Sequence, residues 1–254
     1  MAIYSMFSFS FAHMRGLLRS LVTYYGQPHK LHRMRRVHAQ WVTPNSLCFD
    51  IGAHVGNRTF IWRRLGARVV TVEPQPLFGR WLRWQFQGVA EVTVVEAAVG
   101  ETMGTAVLQV SARTPTVSSV SAEWVNHVQH ADSFKHVRWQ QSINVPQVTL
   151  DSLIAQYGIP DFCKIDVEGY ELNVLNGLSS PLPALSFEVL GVAKPAAHAC
   201  IDKLVELGNY RFTTSMGETQ RLGAWLNSAE LHEWVDNIPP DGVSADVFAE
   251  HNPN

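Results

Sequence analysis

The chain has 254 residues, of which 46% are hydrophobic and 17% charged, and its formal net charge is −2. This composition is typical of a globular protein with one large domain, or with one domain and a small appendage. The near-neutral charge argues against a dedicated nucleic-acid-binding protein, which normally carries a strong basic excess.

Residues 1–46 are predicted to form a helical, partly basic extension before the main domain, which spans residues 47–254. The apolar run at the start is broken by serines and ends at His13 and Arg15, so it is too short to span a bilayer. No basic residue precedes that run, which argues against a secretory signal. We interpret the basic stretch from His29 to His38 as a solvated helix face; weak contact with an acidic membrane surface or an anionic substrate is a second interpretation.

From residue 47 the sequence alternates between strand and helix patterns. The short apolar run LCFDIG is followed by a helical stretch, NRTFIWRRLG, that Gly66 ends. The β-branched run ARVVTVEP, a second helix that starts at Pro76 and a third strand, EVTVVEAAVG, come next. This βαβαβ order predicts a parallel sheet with helices on both faces. On the second helix, Trp81 and Trp84 are three positions apart, and we expect both to pack in the core against the sheet.

Residues 101–148 interrupt the alternation and are predicted to be an insertion. The runs GTAVLQV and HVRWQQSINVPQV have the pattern of two extra strands, and a stretch rich in Ser, Thr and His lies between them. A plain surface excursion explains such a stretch. A loop that lies over the sheet and carries substrate specificity explains it equally well.

The alternation resumes with a short helix, for which Thr149 is the predicted N-cap and Gly158 the predicted stop. The fourth, fifth and sixth strands are PDFCKIDVEG, PALSFEVL and YRFTTSMG, with a helix after each, and SADVFAE closes the sheet. The result is an α/β fold, Rossmann-like in its alternation of strands and helices.

The three cysteines, Cys48, Cys163 and Cys200, have no metal-ligand spacing. Cys48 and Cys163 lie inside apolar strand patterns, so we expect buried, reduced thiols. Reduced thiols are typical of a cytoplasmic protein.

The residues that end the first three strands predict a nucleoside-binding site, because ligands of open α/β sheets bind outside the carboxyl ends of the strands. Gly52 and Ala53 let the backbone approach a ligand closely. Glu73 ends the second strand, where a carboxylate suits the two hydroxyls of a ribose. Glu96 and the small Ala97, after the third strand, can border a flat base.

The first strand-to-helix turn favours S-adenosylmethionine over a dinucleotide. Ala53 and His54 stand where the tight phosphate-binding turn of a dinucleotide site is needed. Asp50 would repel a pyrophosphate and attract a cationic ligand. S-adenosylmethionine carries a ribose, an adenine, a sulfonium and an ammonium, and it fits these charges better than NAD does.

The segments FDIGAHVGN, VEP, VTLDSLI, PDFCKIDVEGYELNVLNGL and LSFEVL resemble, in order and spacing, the FkbM-type methyltransferases. That resemblance implies a class I fold with a seven-stranded sheet of order 3-2-1-4-5-7-6, the last strand antiparallel, and S-adenosylmethionine as cofactor. It also implies methyl transfer to oxygen, usually a hydroxyl of a sugar or secondary metabolite. By the same resemblance, Asp50, Gly52, Ala53 and Asn57 hold the methionine part of the cofactor. Glu73 takes the ribose hydroxyls, and Glu96 with Ala97 lies near adenine.

The block CKIDVEGYE places further carboxylates at the end of the fourth strand, beside the first strand. Asp166 is the leading candidate for the base that accepts the proton of a hydroxyl acceptor, followed by Glu168 and then His54. Glu171 is better explained as a residue that favours the helix N-terminus, and Lys164 as a neutralising neighbour. Asp166, Glu168 and Glu188 are oxygen ligands of the kind that Mg²⁺ accepts, but the resemblance does not demand a metal and we predict none.

Two other functions stay open at this point: a non-catalytic protein that binds S-adenosylmethionine or a partner, and an NAD-dependent oxidoreductase. The expected partner is a small-molecule or glycan acceptor, with no nucleic acid and no integral membrane segment. Homo-oligomerisation through the apolar start of the chain is a further option. The acceptor itself is not encoded in any motif of the sequence.

Overall fold

The computed structural model of the protein describes residues 11–111, 114, 117–129, 135–241 and 243–252. The helices are α1 (Phe11–Tyr25), α2 (Pro28–His38), α3 (Asn57–Arg64), α4 (Pro76–Gln85), α5 (Ala122–Val128), α6 (Leu150–Tyr157), α7 (Glu171–Asn176), α8 (Lys194–Leu207) and α9 (Ser228–Asp236). The strands are β1 (Leu47–Ile51), β2 (Arg68–Val72), β3 (Val92–Val95), β4 (Ala98–Val99), β5 (Gly104–Val110), β6 (Gln141–Val148), β7 (Phe162–Ile165), β8 (Ala184–Leu190), β9 (Tyr210–Met216) and β10 (Ser244–His251).

The main sheet has seven strands in the order β3-β2-β1-β7-β8-β10-β9. All neighbouring pairs are parallel except the two that involve β10, which is antiparallel to both β8 and β9. When the strands of this sheet are numbered by their order in the chain, the arrangement is 3-2-1-4-5-7-6. The predicted class I methyltransferase topology is therefore confirmed.

The insertion forms a second, three-stranded sheet in the order β4-β6-β5. The two predicted extra strands are present as β5 and β6, which pair antiparallel. The predicted third strand is shorter than the pattern suggested, because the chain leaves the main sheet after Val95. Ala98 and Val99 then join the second sheet, where they pair with Gln147 and Val148 of β6.

The core lies on both faces of the main sheet, which explains why β1 and β7 are apolar almost throughout. Every residue of β1 and β7 is buried. One face packs against α6, α7, α8 and α9, and the other against α2 and α3. All three cysteines are buried and free, and for Cys48 and Cys163 this confirms the prediction.

The two ends of α6 lie where the sequence predicts them. The side-chain oxygen of Thr149 accepts a hydrogen bond from the amide of Ser152 at 3.1 Å, which caps α6, and Gly158 follows the last turn of that helix. Both assignments agree with the predicted boundaries of this helix.

The two tryptophans of α4 differ from the prediction. Trp84 is 67% exposed, so its assignment to the core is wrong. Trp81 is partly buried, but it packs with residues of α1 and donates to the carbonyl oxygen of Val55 at 3.2 Å. The spacing of three positions places both rings on one side of the helix, yet α1 covers only one of them. Among the described helices, none is both long and apolar enough to cross a membrane.

Candidate active site

The carboxyl ends of four strands and the middle of β8 lie on one line across the main sheet. The paired residues on this line are Val95, Val72, Ile51, Ile165 and Phe187. The residues that follow them in the chain are Glu96, Glu73, Gly52, Asp166 and Glu188. The register therefore brings four carboxylates and one bare backbone position to the same edge of the sheet, where a ligand of an open α/β sheet binds.

A cleft of about 740 Å³, open solvent included, lies at this edge. Seven of the ten predicted site residues line it: Gly52, His54, Asn57, Glu73, Ala97, Asp166 and Glu168. The side chains of the other three, Asp50, Ala53 and Glu96, have contacts behind the cleft wall, which are described below.

Gly52 allows the loops after β1 and β7 to meet. Its φ is 79°, and a Cβ placed on it would stand 1.8 Å from the carbonyl oxygen of Asp166. The amide of Asp166 in turn donates to the carbonyl oxygen of Ile51 at 3.0 Å. Only glycine fits this contact, because any side chain would push the two loops apart.

Asp50 anchors the start of α3. Its carboxylate accepts hydrogen bonds from the amide and the hydroxyl of Thr59, at 3.0 and 2.6 Å. Burial raises the pKa of Asp50, although the hydrogen bonds from Thr59 oppose that shift. These contacts fix the turn from Gly52 to Gly56 that forms one wall of the cleft. Ala53, within that turn, packs against Leu82 of α4 and against Phe86, the residue that follows α4.

Glu73 stands at the cleft wall after β2. Its two carboxylate oxygens accept hydrogen bonds from the amides of His54 and Gln75, both at 2.8 Å. Burial raises the pKa of Glu73 to about 7, even though these two hydrogen bonds favour the ionised form. The carboxylate is therefore held in a fixed orientation at the position where the sequence predicted a ribose contact.

His54 is a neutral polar group in the same wall. It has a φ of 51°, its ring packs 4.2 Å from that of Phe78 between centroids, and Tyr24 meets it edge-on. Burial lowers the pKa of His54 to about 3. Its Nε2 atom is buried and, among the described residues, has no hydrogen-bond partner. A buried ring nitrogen without a partner is uncommon in a folded protein.

Glu96 does not line the cleft and forms an ion pair with Arg83 of α4. It also lies against Gly79, where an added Cβ would come 2.6 Å from the Glu96 carboxyl carbon. Ala97 itself lines the cleft. The small side chain faces the ligand space, and the acidic one ties α4 to the end of β3.

Three carboxylates gather on the other side of the cleft. Oxygens of Asp166, Glu168 and Glu188 lie within 4.8 Å of one another. Lys164 is buried beneath them, with its Nζ 2.8 Å from Asp246 and 3.5 Å from Asp166. Lys164 thus neutralises neighbouring carboxylates, the role that the sequence suggested for it.

The charges around Asp166 and Glu168 separate their pKa values. Burial acts to raise the pKa of Asp166, but Lys164 and Arg58, the latter 3.5 Å away, outweigh it and hold that pKa below its usual range. Burial raises the pKa of Glu168 well above its ordinary value, and the charges of Glu188 and Asp166 raise it further. Burial and Asp166 raise the pKa of Glu188 in the same way. Asp166 is therefore the anion of the group, while Glu168 and Glu188 hold protons more readily.

The loop that carries Glu168 is strained and fastened from both ends. Glu168 has a φ of 55°, a left-handed conformation that costs a non-glycine residue of order 1 kcal/mol. Oε1 of Glu171 accepts hydrogen bonds from the amides of Val167 and Gly169, at 3.1 and 3.2 Å. The hydroxyl of Ser119 donates to the carbonyl oxygen of Glu168 at 2.7 Å. Glu171 thus holds the loop rather than facing the cleft, and it is the first residue of α7.

The insertion reaches the site. Ser118 and Val120 line the cleft together with Leu108 of β5. Trp124 of α5 lies against Gly169, where an added Cβ would come 2.1 Å from its Cδ1 atom. The described part of the insertion is therefore packed over the carboxyl end of β7 and contributes to the cleft wall.

The structure adds cleft residues that the sequence reasoning missed. Tyr24, Arg58 and Tyr170 also line the cleft. Arg58 and Tyr170 lie within two residues of the predicted positions Asn57 and Glu168. The sequence could therefore have pointed to both. Tyr24 belongs to α1, and no local pattern relates that helix to the sheet.

Comparison with known proteins gives one family match. A family model described as the methyltransferase FkbM domain matches residues 50–212. No curated protein matches the chain.

Several solved structures resemble this chain at low sequence identity. A precorrin-6y C5,15-methyltransferase from Geobacter metallireducens is 11% identical, with 89% of this chain and 87% of that chain covered and a TM-score of 0.44. The cofactor-bound Rv0187 from MTB is 14% identical, with 98% and 94% covered and a TM-score of 0.46. Fibrillarin from Aeropyrum pernix, in complex with S-adenosyl-L-methionine, is 10% identical, with 82% and 68% covered and a TM-score of 0.39.

Proposed function

This chain belongs to the FkbM methyltransferase family, whose model matches residues 50–212, and we propose that it methylates a hydroxyl oxygen of a small molecule or glycan. It is an S-adenosylmethionine-dependent methyltransferase by family, and oxygen as the acceptor atom is our inference. The main support for oxygen as the acceptor atom is the position of Glu168 in the cleft wall, where its pKa is raised well above its ordinary value. A hydroxyl acceptor must lose a proton on transfer, and a carboxylate with a raised pKa is suited to accept it.

The donor groups of the cleft fit S-adenosylmethionine. Glu73 offers two fixed carboxylate oxygens for ribose hydroxyls, next to the small Ala97 where a flat base fits. Arg58 supplies a cation for the carboxylate of the amino-acid part, and Asp166 an anion for the ammonium or sulfonium. When bound, the cofactor supplies an electrophilic methyl carbon on a positively charged sulfur.

Side chains of the protein accept the proton of the acceptor and stabilise charge in this proposal. We assign the proton of the acceptor hydroxyl to the carboxylate of Glu168, which is beside Glu188 and Asp166. Asp166, kept ionised by Lys164 and Arg58, is a weaker proton acceptor and better suited to hold positive charge in place. This reverses the order of the two candidate bases that the sequence suggested. His54 is the weakest of the three, because its pKa of about 3 makes its ring a poor proton acceptor.

The insertion supplies the acceptor side of the cleft in this proposal. Ser118, whose hydroxyl donates to Oε1 of Gln75 at 3.3 Å, and Val120 place a polar and an aliphatic side chain in the cleft wall. A wall with both kinds of group suits a hydroxylated ring or chain, in which polar and apolar surfaces alternate. We therefore propose sugars and hydroxylated secondary metabolites as the substrate class.

The test is transfer of an isotope-labelled methyl group from S-adenosylmethionine to a panel of sugars and hydroxylated metabolites. We expect a labelled product whose methyl carbon has the NMR chemical shift of an O-methyl ether. Glu168→Gln should slow the appearance of label by about 10²- to 10⁴-fold, and Glu206→Gln, at an exposed position on α8, should not. Label on nitrogen, carbon or sulfur would refute the oxygen acceptor. Binding of the cofactor without any transfer would favour a non-catalytic binding protein instead.

A further inference from the structure

Basic charge is concentrated at the start of the chain. Residues 1–49 contain six Lys and Arg side chains and no Asp or Glu, whereas the rest of the chain holds all 22 acidic residues and only 14 basic ones. Two of the six, Arg15 and Arg19, belong to α1, and the other four to α2. Such an asymmetry indicates an anionic partner for this end of the protein.

The inner face of α1 is fixed on the main domain. Leu17 is buried in a cluster with Val55, Leu77 and Phe78. The hydroxyl of Tyr25 donates to the carbonyl oxygen of Val55 at 3.1 Å and accepts a hydrogen bond from Gln85 at 2.7 Å. These contacts set which side of the helix faces away from the protein.

The opposite side, which we term the outer face of α1, is apolar and exposed. It consists of Phe11, Met14, Leu18 and Val22, which are 79%, 50%, 62% and 62% exposed. At 100° per residue these four side chains cover one narrow arc of the helix. Arg15 and Arg19 lie along its border and are exposed as well.

The combination of an apolar arc and a basic border matches one kind of partner. A helix that lies in a membrane interface buries its apolar face and keeps Lys and Arg at the level of the headgroups. A nucleic acid would use the arginines but leave Leu18 and Val22 without a partner. A second copy of this face would bring like charges together.

We propose that the outer face of α1 docks the protein on an anionic phospholipid surface, with the basic residues of α2 adding long-range attraction. This inference is independent of the proposed acceptor. The same helix contributes Tyr24 to the wall of the cleft, so docking would place the cleft close to the bilayer. The acceptor of the reaction would then be met at a membrane surface.

The experiment is co-sedimentation of the full chain with vesicles of phosphatidylcholine alone and with added phosphatidylglycerol. We expect binding to the anionic vesicles that weakens as salt is added. Arg15→Gln with Arg19→Gln should weaken partitioning about 30-fold, and Leu18→Ser about tenfold. The matched controls Arg221→Gln and Ile159→Ser, at exposed positions outside α1, should leave it unchanged. Each variant is first checked for unchanged binding of S-adenosylmethionine.

Three results would overturn the proposal. The first is that the protein binds both kinds of vesicle equally, or binds neither. The second is binding that Leu18→Ser leaves intact while double-stranded DNA competes for it, which would assign the surface to nucleic acid. The third is a dimer in analytical ultracentrifugation that Leu18→Ser dissociates, with no vesicle binding, which would assign the outer face to a second copy.

Discussion

The surroundings of the two acidic residues after β7 shift their pKa values in opposite directions. Asp166 lies 3.5 Å from both Lys164 and Arg58, so it stays ionised. Glu168 has two carboxylates within 4.8 Å and a raised pKa. Pairs of carboxyl groups whose environments push their pKa values apart are typical of sites that move a proton.

Glu168→Gln removes the proposed proton acceptor at nearly constant volume. We expect kcat to fall by about 10²- to 10⁴-fold, because that is the usual contribution of a positioned base. The dissociation constant of S-adenosylmethionine should change little. Steady-state kinetics with the acceptor found by methyl labelling, together with calorimetric titration of the cofactor, measure the two effects. A variant with wild-type kcat would contradict the assignment.

The pH dependence of the wild-type rate follows from the same residue. Glu168 accepts a proton only in its ionised form, and its pKa is raised well above the ordinary value of 4.5. The rate should therefore rise with pH through that higher pKa, and it should be low in the range where an ordinary glutamate is already ionised. A rate profile that is flat across this range would contradict the role of Glu168.

The sequence predicted the site residues that follow strands and missed those contributed by more distant elements. Glu73 and Asp166 were found because the carboxyl ends of parallel strands meet at one edge. Asp50 is in a strand too, but its pairing with Thr59 depends on how α3 packs back on the sheet. Tyr24 was beyond prediction, because no periodicity encodes where α1 docks.

Among the secondary-structure elements, the turns that follow β1 and β7 approach each other closely, and this contact shapes the site. Gly52→Ala would place a methyl group 1.8 Å from the carbonyl oxygen of Asp166, at a φ of 79°. Gly88→Ala is the matched control, since Gly88 has a φ of 75° and nothing within 4 Å of an added Cβ.

We expect Gly88→Ala to lower the free energy of unfolding by about 1 kcal/mol, the cost of the left-handed conformation alone. Gly52→Ala should cost at least roughly 3 kcal/mol, because the backbone of one strand end must move as well. Urea denaturation of the two variants measures the difference. Equal losses would show that the two loops can separate freely.

The order and type of the elements could be predicted because strand and helix patterns alternate, with a glycine or threonine at several boundaries. Their three-dimensional neighbours were harder to predict. Trp84 has the spacing of a core residue yet is 67% exposed, since α1 covers only part of α4. The transfer of Ala98 and Val99 to the second sheet depends on pairing with β6, about fifty residues later in the chain.

For the whole molecule, buried carboxyl groups make stability depend on pH. The folded pKa of Glu171 is about 7, above its ordinary value of 4.5, because burial outweighs the hydrogen bonds from Val167 and Gly169. The folded state therefore binds the proton more tightly than the unfolded chain. The stabilisation that this group gives is complete below pH 4.5 and is lost as the pH rises through about 7.

Glu171→Gln keeps a side-chain oxygen that accepts from the same amides and removes the titration. Its free energy of unfolding, relative to the wild type, should rise by up to about 3 kcal/mol between pH 5 and pH 8. Denaturant titrations at several pH values measure this, with Glu206→Gln as the control at an exposed position. A difference that stays constant with pH would show that Glu171 is already ionised in the folded protein.

Calorimetric titration tests whether the edge of the main sheet binds S-adenosylmethionine through Glu73. We expect the wild type to bind the cofactor with a dissociation constant in roughly the micromolar range, and a parallel titration with NAD to give no heat of binding. Glu73→Ala should weaken binding of S-adenosylmethionine by about 10- to 100-fold, and Glu206→Ala should not. A folded wild-type protein that fails to bind S-adenosylmethionine, or that binds NAD through Glu73, would show that this edge is not an S-adenosylmethionine site.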